Sequence, residues 1–100
     1  MEKTRKQQVP KQYSRDELAR IRYQCRRGML ELDVFLMPYF EQCFIGLTRT
    51  KQGLFIEMLT EADPDLFNWL MGNSEAKKPY QETVKDIHSF QLSGVGQQGV

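Results

Sequence analysis

The sequence predicts an all-α fold, a compact five-helix bundle with short connections, on two observations. Apolar residues recur at spacings of three and four in five separate stretches, the pattern of a helix with one buried face. No stretch alternates apolar and polar residues as a half-buried strand would. The chain has 100 residues, 40% of them hydrophobic, which suits one small domain. We expect that domain over residues 14–92, with a flexible basic arm at 1–13 and a disordered tail at 93–100.

The first helix has a clear beginning and end in the sequence. Ser14 and Glu17 have the spacing of a capping box, in which each residue satisfies a free N–H group of the other. An apolar stripe follows at helical spacing, made of Leu18, Ile21 and Cys25. Gly28 supplies the expected helix end.

The second helix, predicted from about Met29 to Cys43, is apolar around much of its circumference. Such a helix belongs at the centre of a bundle. Its main stripe is read as Leu30, Val34, Met37 and Phe44. Pro38 lies inside it and predicts a kink, the alternative being two short helices divided at Met37.

Three further helices complete the predicted bundle. The third carries apolar residues at helical spacing, with Gly53 weakening its first turn. In "DPDLFNWLMGN", Asp63 suits the cap, Pro64 the first helical position and Gly72 the end of a short fourth helix. The fifth is expected to begin near Pro79, with an inward face that comprises Tyr80, Val84 and Ile87.

The residues that could bind metal or carry out nucleophilic chemistry are few. The two cysteines, Cys25 and Cys43, fall in apolar helical patterns and are expected to be reduced, core-facing thiols. His88 is the single histidine, so a structural zinc site with four Cys or His ligands is not expected, and we interpret it as a structural residue. The tail sequence "GVGQQG" follows no strand and is no phosphate loop, so independent tight binding of a dinucleotide cofactor is not expected.

Charge is distributed unevenly along the chain. Residues 1–27 contain nine Lys or Arg against three Asp or Glu, whereas the remainder contains five against ten. A basic segment of this kind can serve nucleic acid, an acidic protein partner or a dianionic ligand. The chain has no apolar run long enough to span a membrane and no secretory h-region at its start, so a cytoplasmic location is expected.

The stretch "RRGMLE" at residues 26–31 has a purely structural interpretation. Arg26 and Arg27 would lie in the last turn of the first helix, where cations are favoured, and Gly28 would adopt a left-handed conformation. Glu31 and Asp33 would lie in the opening turns of the second helix, where anions are favoured.

A second interpretation makes this corner a recognition site. Side chains at a tight turn between helices point outward, and arginine can bind a carboxylate or phosphate with two parallel hydrogen bonds. Arg27 would be the donor, Gly28 would allow close backbone approach, and Glu31 would be the acceptor. Trp69 belongs to a short helix that cannot bury every apolar side chain, so it is a further candidate for a partner interface.

Two motifs identify a family that the chain resembles. "CRRGMLELDVFLMPYFE" followed by "DPDLFNWLMG" resembles the small succinate dehydrogenase assembly factors of the SdhE type, whose hallmark is an Arg-Gly-x-x-Glu motif. Here Arg27, Gly28 and Glu31 match it. The resemblance is close over about residues 17–72, is looser in the fifth helix, and does not extend to the terminal arm or tail.

The resemblance implies a five-helix domain that acts as an assembly chaperone. Family members bind the flavoprotein subunit of succinate dehydrogenase or fumarate reductase and promote covalent attachment of FAD to a histidine of that subunit. It implies partner-binding roles for Arg27, Gly28 and Glu31. We add Arg26, Asp33 and Trp69 as further candidate partner-binding residues, and expect no catalytic residue and no metal. FAD would be held by the client subunit, and the free chain is expected to be a monomer that does not insert into membranes.

Two other functions fit the sequence less well. A small basic nucleic-acid-binding regulator is the alternative, but no helix shows a recognition face of exposed Arg, Asn and Gln. An enzyme is not expected, because Glu31 and Asp33 are two residues apart and a helix points them about 200° away from each other.

Overall fold

A computed structural model of the chain describes residues 10–93. The elements in chain order are α1 (Arg15–Cys25), α2 (Leu30–Cys43), a 3-10 turn (Phe44–Gly46), α3 (Arg49–Met58), α4 (Asp63–Met71), a second 3-10 turn (Lys78–Tyr80) and α5 (Gln81–Leu92). The described part of the chain contains five α-helices and no strand, which confirms the predicted all-α class. The predictions for residues 1–9 and 94–100 lie outside the described residues. Within residues 10–93, no helix is both long enough and apolar enough to cross a membrane.

Helix α2 is the centre of the bundle, as predicted, and α1, α4 and α5 all pack against it. Its buried side chains are Leu32, Leu36, Tyr39 and Phe40. The predicted stripe was wrong at its first two positions, since Leu30 is 72% exposed and Val34 is 42% exposed. A helix that is apolar on several sides does not reveal from periodicity alone which side faces inward.

Pro38 lies inside one continuous helix, so the alternative of two helices divided at Met37 was wrong. Proline removes one backbone hydrogen bond, whereas the buried side chains on both sides of it keep the helix packed. Burial of this face outweighs the local break.

The helix boundaries agree with the sequence at some ends and not at others. The capping box of Ser14 and Glu17 is present, with hydrogen bonds of 2.9 and 3.1 Å. Thr48 caps α3 by accepting from the N–H of Lys51, so α3 begins at Arg49. Gly53 therefore lies in the second turn of α3, not in its first.

Asp63 does not cap α4, contrary to the sequence prediction. The N-cap residue is Ala62, which makes no side-chain hydrogen bond, and Asp63 is the first helical residue. Pro64 consequently occupies the second helical position. Gly72 ends the helix with φ of +81°, as predicted. The Asp63 carboxylate instead accepts a hydrogen bond from Nε of Arg27.

Residues 10–13, assigned to the flexible arm by the sequence, lie against the bundle. The backbone N–H of Lys11 donates to Oε1 of Gln52 at 2.8 Å, and Nε2 of Gln52 donates to the carbonyl of Phe44 at 3.0 Å. The ring of Tyr13 packs against Phe44 with centroids 5.3 Å apart. The backbone of Lys11 is thus bonded to a fully buried glutamine, and the flexibility of the arm over residues 1–13 stays a prediction.

Both cysteines are free thiols. Cys25 is fully buried in the core, as expected, whereas Cys43 is only partly buried at the end of α2.

Candidate functional site

The side chain of Arg27 faces into the protein. It is 16% exposed, and its Nε donates to Oδ1 of Asp63 at 2.8 Å. Nη1 donates to the carbonyls of Gln24 at 2.7 Å and Leu59 at 3.0 Å, and Nη2 donates to the carbonyl of Glu61 at 3.1 Å. A guanidinium has five N–H groups, so four of the five are used within the chain. Arg27 ties the α1–α2 corner to the α3–α4 connection.

The backbone at the corner is held at two further points. The N–H of Arg27 donates to Oδ1 of Asp33 at 2.8 Å, which links the first turns of α2 to the residues before it. The N–H of Arg26 donates to the carbonyl of Tyr23 at 3.1 Å and closes α1. Both arginines therefore follow the last helical residue, Cys25, instead of lying in the last turn of α1 as predicted.

Gly28 has the left-handed conformation that the sequence predicts, with φ of +81°. No heavy atom lies within 4 Å of the position that a Cβ would occupy there. The backbone conformation, and not a lack of space, therefore favours glycine within the chain. The open space above Gly28 also leaves its backbone accessible to a partner.

The exposed residues of the corner form what we call the outer face, which comprises Arg26, Gly28, Met29, Leu30, Glu31 and Val34. The side chains of Arg26 and Glu31 make no hydrogen bond or ion pair with the described residues. Leu30 and Val34 are one helical turn apart and lie on the same side of α2. The outer face thus combines one cation, one anion and an exposed apolar strip on a rigid support.

The structure divides the predicted site residues into two groups. Arg26, Gly28 and Glu31 belong to the outer face, whereas Arg27 and Asp33 bond within the chain and hold the corner from inside. The sequence had predicted that Arg27 and Glu31 act together in one binding site, as its donor and its acceptor.

Trp69, the remaining predicted site residue, belongs to neither of these two groups. It is 8% exposed and its ring centroid lies 6.1 Å from that of Tyr80, so most of its surface is core. One edge lines an open cavity of about 390 Å³ between the end of α4 and α5, to which His88 also contributes. His88 stacks on Phe35 with ring planes 9° apart, in keeping with its expected structural role.

Asp63 is the residue of this site that the sequence did not reveal. It lies 36 positions from Arg27 and was assigned to capping, because "DPD" at a helix start suits that role. The available sign of such a distant partner was the acidic first turn of α4, which has no Lys or Arg nearby in the sequence. Among the described residues, no cluster of His, Cys, Asp and Glu could hold a metal ion.

Comparison with known proteins identifies relatives across most of the chain. Residues 19–91 match the Sdh5 family, described as flavinator of succinate dehydrogenase. The FAD assembly factor SdhE of Vibrio vulnificus is 52% identical over 84 residues, which cover 83% of this chain and 98% of the relative. The protein of the same name from Photobacterium profundum is 48% identical over 73 residues, covering 73% of this chain and 83% of the relative.

A solved structure shares the fold. The solution structure of a UPF0350 protein is 45% identical in sequence and superposes with a TM-score of 0.69, covering 84% of this chain and 90% of that one. With the match to the family model over residues 19–91, this places the relationship across all five helices. The chain belongs to the Sdh5 family of flavinators of succinate dehydrogenase.

Proposed function

We propose that this protein is an assembly factor that binds the flavoprotein subunit of succinate dehydrogenase and promotes covalent attachment of FAD to it. The name of the family and the names of its relatives support this function. The observation that connects this function with particular residues is the exposure of the outer face. There Glu31 and Arg26 stand exposed without partners among the described residues, at a corner whose inner residues are bonded within the chain.

We assign contact with the client to Arg26, Gly28 and Glu31. The Glu31 carboxylate would accept hydrogen bonds from client donors, and Gly28 would let the client approach the backbone. In the interpretation from sequence, Arg27 is the donor that binds a carboxylate of the partner. Because four of its five N–H groups are used within the chain, we assign that pairing to Arg26. The exposed Leu30 and Val34 would add apolar contact area beside these polar groups.

The mechanism we propose is one of positioning. A rigid corner inserted near the FAD site would hold the client's reacting groups in an arrangement that favours bond formation, as orientation does in intramolecular reactions. The client subunit would hold the FAD and carry out the chemistry. On this proposal the chain has no catalytic residue, binds no cofactor tightly by itself, and works as a monomer in the cytoplasm on succinate dehydrogenase, fumarate reductase or both.

The nucleic-acid-binding alternative has less support from the described residues. Arg22 of α1 pairs with Glu41 at 2.7 Å, and Arg27, which follows the helix, pairs with Asp63 at 2.8 Å. Two of the cations that would have contacted phosphate are thus matched with carboxylates of the same chain.

The test is covalent flavin in the client subunit, measured by fluorescence after denaturing electrophoresis. Cells that lack the protein would be compared with cells that carry the wild type, Glu31→Ala or Glu82→Ala. Glu82 is the matched control, since it is exposed and holds the second helical position in α5 as Glu31 does in α2. We expect covalent flavin to be restored by the wild type and by Glu82→Ala, and not by Glu31→Ala.

Equal covalent flavin in all four strains would contradict the proposal. In that case, binding of the purified protein to a DNA or RNA duplex that weakens steeply with added salt would support the nucleic-acid alternative.

A further inference from the structure

We propose that Asp63 is a positioning residue for client binding: it holds Arg27 from α4, and so fixes the corner in the shape that presents Glu31. This inference rests on the proposed function, and it assigns a role in that function to a residue outside the Arg-Gly-x-x-Glu motif.

Most of the groups that hold Arg27 come from a distant part of the chain. The carboxylate of Asp63 and the carbonyls of Leu59 and Glu61 lie 32 to 36 positions away, in the α3–α4 connection. The carbonyl of Gln24, at the end of α1, is the local acceptor. The Arg27 side chain is therefore held mainly by the α3–α4 connection and by the first residue of α4.

Asp63 is the charged member of this group of acceptors. All four bonds have the charged guanidinium as donor, and the bond to Asp63 adds the attraction of an opposite full charge at 2.8 Å. Helix capping does not account for the residue, because Ala62 is the N-cap residue. The helix dipole favours Asp63 and Asp65 alike, since both lie in the first turn of α4, but Asp65 has no partner among the described residues.

The effect of Asp63 reaches Glu31 through a short, continuous path. The Arg27 side chain is fixed by Asp63, and the Arg27 N–H is fixed by Asp33. Gly28 follows directly, with its left-handed φ of +81°, and Glu31 lies three residues further on. Releasing Arg27 would remove one of the two restraints on the residue that precedes this turn.

The first measurement uses the free protein and needs no client. Amide hydrogen exchange at Arg26, Arg27, Leu32 and Asp33, whose N–H groups are hydrogen-bonded at the corner, would be compared between wild type, Asp63→Ala, Asp63→Glu and Asp65→Ala. We expect exchange to rise about tenfold or more in Asp63→Ala, in line with the loss of a hydrogen bond to a charged group. Asp65→Ala removes the same charge from the same turn and should leave exchange unchanged, whereas Asp63→Glu should restore part of the protection.

The second measurement is the affinity for the purified flavoprotein subunit, by titration calorimetry at a temperature where every variant is folded. Asp63→Ala should bind about tenfold more weakly or worse, with Asp65→Ala at the wild-type value. Ile87→Val, in the core of α5 and away from the corner, controls for lost stability. If Ile87→Val weakens binding as much as Asp63→Ala at equal loss of Tm, the role of Asp63 is stability alone and the inference is overturned.

Glu31→Ala in the same titration separates the two proposals. If Glu31→Ala fails to bind while Asp63→Ala binds normally, the positioning role fails and the proposed function stands. If both variants bind like the wild type, the corner is not the client-binding site and both proposals fail.

Discussion

The backbone N–H of Arg27 lies 2.8 Å from Oδ1 of Asp33, so a carboxylate of α2 holds the chain just before that helix begins. Glu31, two residues earlier on the same helix, is exposed and has no partner among the described residues. The two carboxylates point about 200° apart around the helix axis. One therefore stabilises the corner while the other remains available to a partner.

Asp33→Ala is expected to lower the free energy of unfolding by about 1–3 kcal/mol. The substitution removes an acceptor with full negative charge and leaves the partly buried N–H of Arg27 unpaired. Urea unfolding followed by the fluorescence of Trp69, the single tryptophan, measures the loss.

Glu31→Ala is the matched control, because it removes an equal charge from the first turn of α2. Its exposed carboxylate contributes only the interaction with the helix dipole, about 0.3–1 kcal/mol. Asp33→Asn keeps an acceptor oxygen and should fall between the two. Equal loss of stability in Glu31→Ala and Asp33→Ala would show that the hydrogen bond to Arg27 contributes nothing.

Gly28→Ala is expected to destabilise the protein by about 1–2 kcal/mol. A left-handed conformation costs roughly this much for a residue with a Cβ, and no neighbouring atom lies close enough to add a clash.

Gly53→Ala should change the stability in the opposite direction. Gly53 lies in the interior of α3 with no heavy atom near its absent Cβ, so alanine there should stabilise by about 0.5–1 kcal/mol. Thermal unfolding of both variants checks the pair, and a Tm shift of the same sign in both would contradict the explanation.

The sequence predicted those parts of the fold that depend on nearby residues. The capping box at Ser14, the left-handed Gly28 and the terminal Gly72 each follow from a few adjacent positions, and each is confirmed. The match of Arg27 and Glu31 to the family motif likewise depended on a short stretch.

The errors arose where distant residues determine the outcome. The local sequence predicted that Asp63 is a helix cap. In the structure, its carboxylate accepts a hydrogen bond from a guanidinium 36 residues away. Leu30 was assigned to the core because α2 is apolar on several sides, and packing by three other helices decides which side is buried. The separation of Arg27 from the outer face has the same origin, since only tertiary structure shows that its donors are already used.

Gln52→Leu is expected to release residues 10–13 from the bundle. The fully buried amide of Gln52 accepts from the N–H of Lys11 and donates to the carbonyl of Phe44, and leucine can do neither. Leaving such groups unpaired costs about 1–3 kcal/mol. Trypsin should then cleave after Lys11 about tenfold faster or more, as followed by mass spectrometry of the folded protein.

The control for this release is Gln42→Leu, which changes an exposed glutamine of α2 that has no partner among the described residues. It should leave the cleavage rate after Lys11 at the wild-type value. An unchanged rate in Gln52→Leu would mean that the packing of Tyr13 on Phe44 is sufficient to hold this segment.

Stability is expected to fall as pH rises above about 9, because burial raises the pKa of the Cys25 thiol from 9.0 to about 12. Between these values the unfolded chain loses the thiol proton while the folded chain keeps it. Unfolding then releases a proton, so the free energy of unfolding decreases with pH, by up to about 1.4 kcal/mol per pH unit for this group. Below pH 9 the thiol is protonated in both states, and its contribution does not vary.

Urea unfolding of wild type and Cys25→Ala between pH 7 and 11, under reducing conditions, measures this effect. Cys25→Ala leaves a small cavity and should be less stable at pH 7, yet its stability should decline less steeply above pH 9. Burial also raises the pKa of the Tyr39 hydroxyl, so Tyr39→Phe should flatten the decline in the same way above pH 10, the ordinary value for a tyrosine. Parallel curves for wild type and Cys25→Ala above pH 9 would show that the thiol ionises equally well in the folded protein, and that the end of α1 opens to solvent.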